Sequence, residues 1–182
     1  YVNEAIGGSA VIWFEAISIV EEGRSSQTQL LLTRDTLDEF KKMTRAFTAE
    51  TALEIPAAGT AGLTCYYDEH SYLKFGVGPE GLLLEEYAGY EVVSRQTAPL
   101  PTDTSNVRLR VTAAGGQRHF AVQNGTDWRT LWSIPEPRYL TSEGLQCGKR
   151  FTGAMVGLYV HGASAVRFTD WSAVWFCPEE ER

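Results

Sequence analysis

The stretch AGLTCYYDEHSYLKFGV, residues 61–77, predicts two strands of a β-hairpin joined by a turn at residues 68–71. Side chains of a strand alternate between the two faces of a sheet, so the hairpin has an inner and an outer face. With this four-residue turn, Tyr67 lies opposite Tyr72. We assign the more apolar face to the core, and that face holds Gly62, Thr64, Tyr66, Leu73, Phe75 and Val77.

The other face of the hairpin carries Tyr67, Tyr72 and Lys74, and we interpret it as the outer face of the sheet. Tyr and Trp offer a flat apolar ring with a polar edge, which suits stacking against a sugar. These three residues are therefore candidates for carbohydrate binding, as are Trp13 and Trp128. Two alternatives stay open: the tyrosines pack beneath a loop, or a one-residue slip in register exchanges the two faces.

Short alternating runs separated by turn residues continue through most of the chain. Residues 107–112 alternate between apolar and polar, which is typical of a half-buried strand, and Asn124-Gly125 is a strong hairpin-turn signal. Residues 36–43 predict a short helix, because they begin with a capping-box pattern. The whole pattern predicts an all-β antiparallel sandwich with at most one short helix, and we expect residues 1–182 to form a single domain.

The composition restricts the partners and the compartment. The formal net charge is −7 and the pI is about 5.0, which argues against binding to nucleic acid or an anionic membrane. The sequence contains no apolar run of transmembrane length. The three cysteines form no metal or redox motif, and their odd number favours a reducing, cytoplasmic location. An upstream secretion signal stays open as the alternative, since the sequence starts at Tyr1.

Two acidic residues are the candidates for catalysis. Glu86 and Glu91 are predicted to face each other across a turn at residues 87–90. A pair of carboxylates is what a glycoside hydrolase uses as acid and as base or nucleophile. The alternative is a solvated strand end. The three histidines are isolated, and no zinc-protease, nucleophile-elbow or phosphate-loop motif occurs.

Calcium is the one metal that the sequence allows, although no cofactor is expected. Asp68 and Asp170 lie in or beside predicted loops, and loop oxygens can hold calcium without a linear motif. The favoured alternative is that these aspartates accept hydrogen bonds from the backbone of their own turns.

Five segments follow one another along the chain: FTAETALEI (47–55), AGLTCYYD (61–68), VRLRV (107–111), NGTDW (124–128) and FTGAMVGLY (151–159). Together they resemble the concanavalin A-like domain at the C-terminus of beta-xylosidases of glycoside hydrolase family 43. The resemblance spans residues 27–175, and residues 1–26 do not share it. It implies a jelly roll of two curved antiparallel sheets. In that family a separate five-bladed propeller carries the catalytic carboxylates, so the resemblance assigns no catalytic residue to this chain.

We therefore expect a non-catalytic, carbohydrate-associated module related to the accessory domain of xylosidases. Its expected partners are a plant-type saccharide and either a second copy of the chain or a separate catalytic domain. Two alternatives belong to other classes: a glycoside hydrolase or polysaccharide lyase that uses the sandwich groove, and a structural or regulatory protein-interaction module.

Overall fold

The computed structural model describes residues 46–100, 105–114, 116–135, 137–141, 144–145, 154–163 and 165–175. Trp13 and the predicted helix at residues 36–43 lie outside these ranges.

The described part of the chain consists almost entirely of β-strands. In chain order the elements are β1 (Phe47–Glu54), β2 (Thr60–Asp68), β3 (Ser71–Gly78), β4 (Gly81–Ala88), β5 (Glu91–Ala98), β6 (Asn106–Ala114), β7 (Gln117–Asn124), β8 (Asp127–Pro135), one 3-10 turn (Arg138–Leu140), β9 (Met155–His161) and β10 (Phe168–Trp175). The described ranges include no helix with the length and apolar character needed to span a membrane.

The strands form two five-stranded antiparallel sheets. The first sheet has the order β10-β1-β6-β7-β8, and the second has the order β5-β4-β3-β2-β9. Every strand pairing is antiparallel. This architecture confirms the prediction of an all-β, two-sheet sandwich.

The hydrophobic core lies between the inner faces of the two sheets. In β6, Val107, Leu109 and Val111 are buried, while the residues between them are only half-buried. Phe75 of the second sheet meets Phe120 of the first sheet edge to face, with ring centroids 5.4 Å apart. Alternation along each strand therefore supplies one apolar face per sheet, and burying these two faces drives the sheets together.

The register of the β2–β3 hairpin differs by one residue from the sequence prediction. Leu63 pairs with Phe75, and Cys65 pairs with Leu73. The hairpin closes at Asp68 opposite Ser71, and a register shift lies between residues 66 and 68. A β-bulge places one extra residue in a strand, so this hairpin combines a two-residue turn with a bulge instead of a four-residue turn.

The bulge reverses the predicted faces of β2 and leaves those of β3 unchanged. Tyr67 is 3% exposed and belongs to the core, so its assignment to the outer face was wrong. Tyr66 was assigned to the core, but it lies on the outer face and is 37% exposed. In β3 the predicted inner residues are fully buried, namely Leu73, Phe75 and Val77.

This register predicts different costs for removing two adjacent tyrosines. Tyr67→Ala is expected to lower the free energy of unfolding by about 3–5 kcal/mol, as for other large aromatic core residues. Tyr66→Ala is the matched control, because it removes the same side chain from the outer face, at an expected cost of about 1 kcal/mol or less. Chemical denaturation followed by tryptophan fluorescence measures both losses. Equal losses in the two variants would contradict the register.

Candidate functional site

Three tyrosines form a row across adjacent strands on the outer face of the second sheet. Tyr66 of β2 is the cross-strand partner of Tyr72 in β3, and Tyr72 is the partner of Tyr87 in β4. The stacked ring centroids are 6.0 Å apart in the first pair and 4.4 Å apart in the second. Directly opposed side chains on one face of a sheet lie about 5 Å apart, so the strand pairing itself stacks the rings. We call these three residues the tyrosine row.

Lys74 lies beside the tyrosine row, with its side chain only 9% exposed. Its Nζ lies 2.9 Å from Glu85 Oε2 and donates to the Tyr87 hydroxyl at 3.3 Å. The ammonium group also lies 4.7 Å from the ring centroid of Tyr87 and 5.9 Å from that of Tyr159. A buried charge is costly unless it is paired and hydrogen-bonded, so Glu85 is the residue that allows a lysine at this position.

Glu85 is also buried, and it lies between two cations. Lys74 pairs with one of its carboxylate oxygens and Arg95 with the other. Burial alone would raise the pKa of Glu85, but the hydrogen bond and charge of Lys74, together with Arg95, hold that pKa below its usual value. Burial alone would lower the pKa of Lys74, but Glu85 and Tyr87 outweigh it and raise that pKa. Both groups therefore stay charged across the physiological pH range.

A groove of about 450 Å³ lies between the tyrosine row and β9. Its floor is open at Gly157, because a Cβ atom there would meet only Thr64, at 4.0 Å. On β3, Gly76 has no side chain, and the Tyr159 hydroxyl lies where a Cβ atom of this residue would be. Glycine at these two positions creates the room in which the groove and the Tyr159 ring fit.

Three phenol groups around the groove stay neutral. Burial raises the pKa of Tyr66, Tyr72 and Tyr159 above the ordinary value for tyrosine. For Tyr72 the neighbouring Tyr87 adds to the increase. These hydroxyls can therefore both donate and accept hydrogen bonds at physiological pH.

Two of the five sequence candidates for carbohydrate binding lie at this groove, Tyr72 and Lys74. Tyr67 does not, because its side chain is in the core. Trp128 lies on the outer face of the other sheet, where the guanidinium of Arg110 covers its ring at 3.8 Å from the centroid. The fifth candidate, Trp13, lies outside the described residues.

Sequence reasoning missed four residues of the site: Tyr66, Glu85, Tyr87 and Tyr159. One signal was present for Glu85. A lysine in a strand with apolar neighbours needs a carboxylate partner, and the next strand carries two adjacent glutamates. Side chains alternate between the two faces along that strand, so only one of the two glutamates can face the lysine. The register of the strand decides which one.

The structure does not bring Glu86 and Glu91 together as the predicted carboxylate pair. The β4–β5 hairpin closes with a two-residue turn, Gly89-Tyr90, in which both φ angles are positive, at 62° and 79°. Glu91 therefore pairs with Ala88 instead of Glu86. Glu86 accepts a hydrogen bond from the Tyr139 hydroxyl at 2.8 Å, whereas Glu91 is exposed. The prediction of a four-residue turn at 87–90 was wrong.

The calcium candidates, Asp68 and Asp170, do not assemble a metal site with other side chains that the structure describes. In the described ranges, no group of three or more His, Cys, Asp or Glu side chains is placed to hold a metal ion. Oδ1 of Asp68 accepts a hydrogen bond from the backbone N–H of His70 at 2.9 Å, as turn aspartates commonly do. Asp170 lies 3.9 Å from Arg108 in an exposed ion pair.

The Lys74–Glu85–Arg95 network predicts a loss of stability in acid. Because the folded state lowers the pKa of Glu85, its contribution is complete above the ordinary value of about 4.3 and is lost as the pH falls through the lower, folded-state pKa. Glu85→Gln is expected to cost about 1–3 kcal/mol at pH 7, between the values for exposed and for fully buried ion pairs. The difference from wild type should shrink as the pH falls through this lowered pKa and Glu85 takes up a proton.

Urea denaturation of both proteins between pH 2 and pH 7 measures this difference. Glu50→Gln is the matched control, since Glu50 pairs with Arg110 on the outer face of the first sheet and is more exposed than Glu85. A Glu85→Gln deficit that stays constant with pH would contradict the ionised network.

Comparisons with known proteins agree with this architecture. The profile of the beta xylosidase C-terminal concanavalin A-like domain matches residues 39–172. Among solved structures, the GH43 protein BlXynB from Bacillus licheniformis is 22% identical, covering 72% of this chain and 28% of its own length, with a TM-score of 0.59. A xylan beta-1,4-xylosidase from Bacillus halodurans C-125 is 19% identical, covering 70% of this chain and 28% of its own length, with a TM-score of 0.55.

A functionally unknown protein from Saccharomyces cerevisiae is 19% identical, covering 73% of this chain and 71% of that protein, with a TM-score of 0.52. At these identities the structures show a shared fold. The chain spans only about 28% of the length of the two Bacillus proteins. The comparison with curated proteins gave no match. The profile match covers most of the described sandwich, and the chain belongs to the family of concanavalin A-like domains found at the C-terminus of beta-xylosidases.

Proposed function

We propose that this chain is a non-catalytic accessory module that binds a plant-type saccharide in the groove between the tyrosine row and β9. The observation that carries the proposal is the position of Tyr66. One face of its ring is stacked against Tyr72, and 37% of the residue is exposed beside the groove. The exposed part of the ring is therefore available to a ligand in the groove.

The chemistry of the groove suits a sugar ring. The apolar C–H face of a pyranose packs against an aromatic ring, while its hydroxyls need donors and acceptors close by. Tyr66 offers the ring, and the Lys74 ammonium and the tyrosine hydroxyls offer the hydrogen bonds. Apolar surface with a few fixed polar groups is the usual composition of a small-molecule site.

The charge arrangement supports a binding role instead of catalysis. Glycoside hydrolysis needs two carboxylates on opposite sides of the scissile bond, one of them protonated as the acid. Glu85 is the carboxylate nearest to the tyrosine row in the described chain, and it is buried and held ionised between Lys74 and Arg95. Such a group does not release a proton near neutral pH.

We infer that catalysis belongs to a separate glycoside hydrolase unit, with which this module is associated. The support is the family membership together with the two xylosidase-type Bacillus structures, of which this chain spans about 28%. In this arrangement the module holds a saccharide, and the partner unit supplies the acid and the base or nucleophile.

Titration of the purified chain with xylo- and arabino-oligosaccharides tests the binding proposal. Calorimetry and tryptophan fluorescence are expected to show binding at or below millimolar ligand. Tyr66→Ala should weaken it by about tenfold or more, as truncation of a central aromatic contact commonly does.

Tyr90→Ala is the matched control, because Tyr90 is 71% exposed in the β4–β5 turn and does not line the groove. This variant should bind as wild type does. Flat titrations of the wild-type chain at millimolar saccharide would contradict the proposed function, and equal losses in the two variants would contradict the placement of the site.

A further inference from the structure

In the described part of the chain, a lysine and no carboxylate borders the groove. Lys74 and His161 line it, and none of the described residues that line it is Asp or Glu. Glu85 does not line the groove; it lies next to Lys74 on the same face of the sheet, between Lys74 and Arg95, and Arg95 lines a second cavity of about 320 Å³. The network of one carboxylate and two cations thus carries a net positive charge, and of its three members only Lys74 lines the groove.

This arrangement departs from the charge of the whole chain. The formal net charge is −7, so a surface without acidic residues is a local feature and not the general character of the molecule. Besides Glu85, the acidic groups near the groove include Asp68 and Glu69, which act on Tyr66 from its turn end. Lys74 is thus the cation that the groove presents, two residues along β3 from Tyr72 of the tyrosine row.

Lys74 also has hydrogen-bonding capacity to spare. An ammonium group has three N–H donors, and Glu85 and Tyr87 account for two of them. A carboxylate in the groove would accept the third in a charge-assisted hydrogen bond, which is stronger and shorter than the bond to a sugar hydroxyl. Such a bond costs little extra desolvation, because Lys74 is already 91% buried within the protein.

We propose that the groove selects a saccharide that carries a carboxylate, such as a uronic acid unit, and that Lys74 binds this group. The inference rests on the saccharide binding proposed above and specifies the class of ligand. The sugar ring packs beside Tyr66, and its carboxylate contacts Lys74.

The test compares two ligands that differ in one group: a neutral xylo-oligosaccharide, and an oligosaccharide of the same backbone length with one glucuronic acid branch. Calorimetry with the wild-type chain is expected to give roughly tenfold tighter binding of the acidic ligand, the gain typical of a charge-assisted hydrogen bond. This preference should decrease as salt is added, while the affinity for the neutral ligand stays constant.

The double variant Lys74→Met/Glu85→Gln removes both charges of the pair and leaves the net charge of the network unchanged. It should reduce the ratio of the two affinities to about one. The matched control is Arg110→Met/Glu50→Gln, which removes an ion pair from the outer face of the first sheet and should keep the preference. Circular dichroism checks that each variant folds.

The possible outcomes separate this inference from the proposed function. Equal wild-type affinity for the two ligands overturns the preference and leaves saccharide binding intact. No binding of either ligand overturns both. If the double variant fails to fold, the wild-type ratio of the two affinities still decides whether the preference exists.

Discussion

One extra residue in β2 determines which tyrosines belong to the core and which line the groove. Side chains alternate strictly along a strand, so a shift of one position moves every side chain to the other face. The bulge at residues 66–68 lets Leu63 and Cys65 pair with the buried residues of β3 and still closes the hairpin with a two-residue turn. Tyr66 is exposed and Tyr67 is buried as a direct result. The tyrosine row, and with it the groove, depends on this irregularity.

The Lys74–Glu85–Arg95 network has a different role from that of the core. Replacing a buried ion pair by apolar residues is often neutral or stabilising, so a pair at this position needs a reason other than stability. Here the pair keeps a cation at the groove in a fixed position. Glu85 holds Lys74 through one oxygen and Arg95 through the other, and direct strand pairing sets the three residues in line. The carboxylate thus orients Lys74 and does not itself line the groove.

The general architecture was predictable from the sequence, because it depends on alternation and turn residues that act locally. The faces of β3 were also predictable, since Leu73, Phe75 and Val77 are clearly more apolar than Tyr72 and Lys74. The face of Tyr67 was not. A single bulge residue decides whether Tyr67 or Tyr66 lies opposite Tyr72, and two adjacent tyrosines provide no contrast in polarity.

The rest of the site depends on pairings between distant parts of the chain. Tyr159 reaches Gly76 only because β9 pairs with β2, and nothing in the local sequence of either strand specifies that neighbour. The predicted Glu86–Glu91 pair required a four-residue turn. The two-residue turn that forms instead requires a positive φ at Tyr90, which is uncommon for a tyrosine. Local patterns therefore predict strands and faces, while sites that join several strands need the register.

In the described part of the chain, glycine in the strands forms the groove, and all its lining residues belong to strands. Gly157 leaves its floor open, and Gly76 makes room for Tyr159. Side chains on paired strands are held more firmly than side chains on loops, so the shape of this site exists before a ligand arrives. A preformed site avoids much of the ordering cost of binding. Because the shape is already set, the few polar groups that line the groove determine its selectivity in the proposed binding mode. Lys74 is the charged one among them, and its ion pair with Glu85 holds it most firmly. In this proposed binding mode, a rigid groove with one fixed cation discriminates among ligands mainly by their charge.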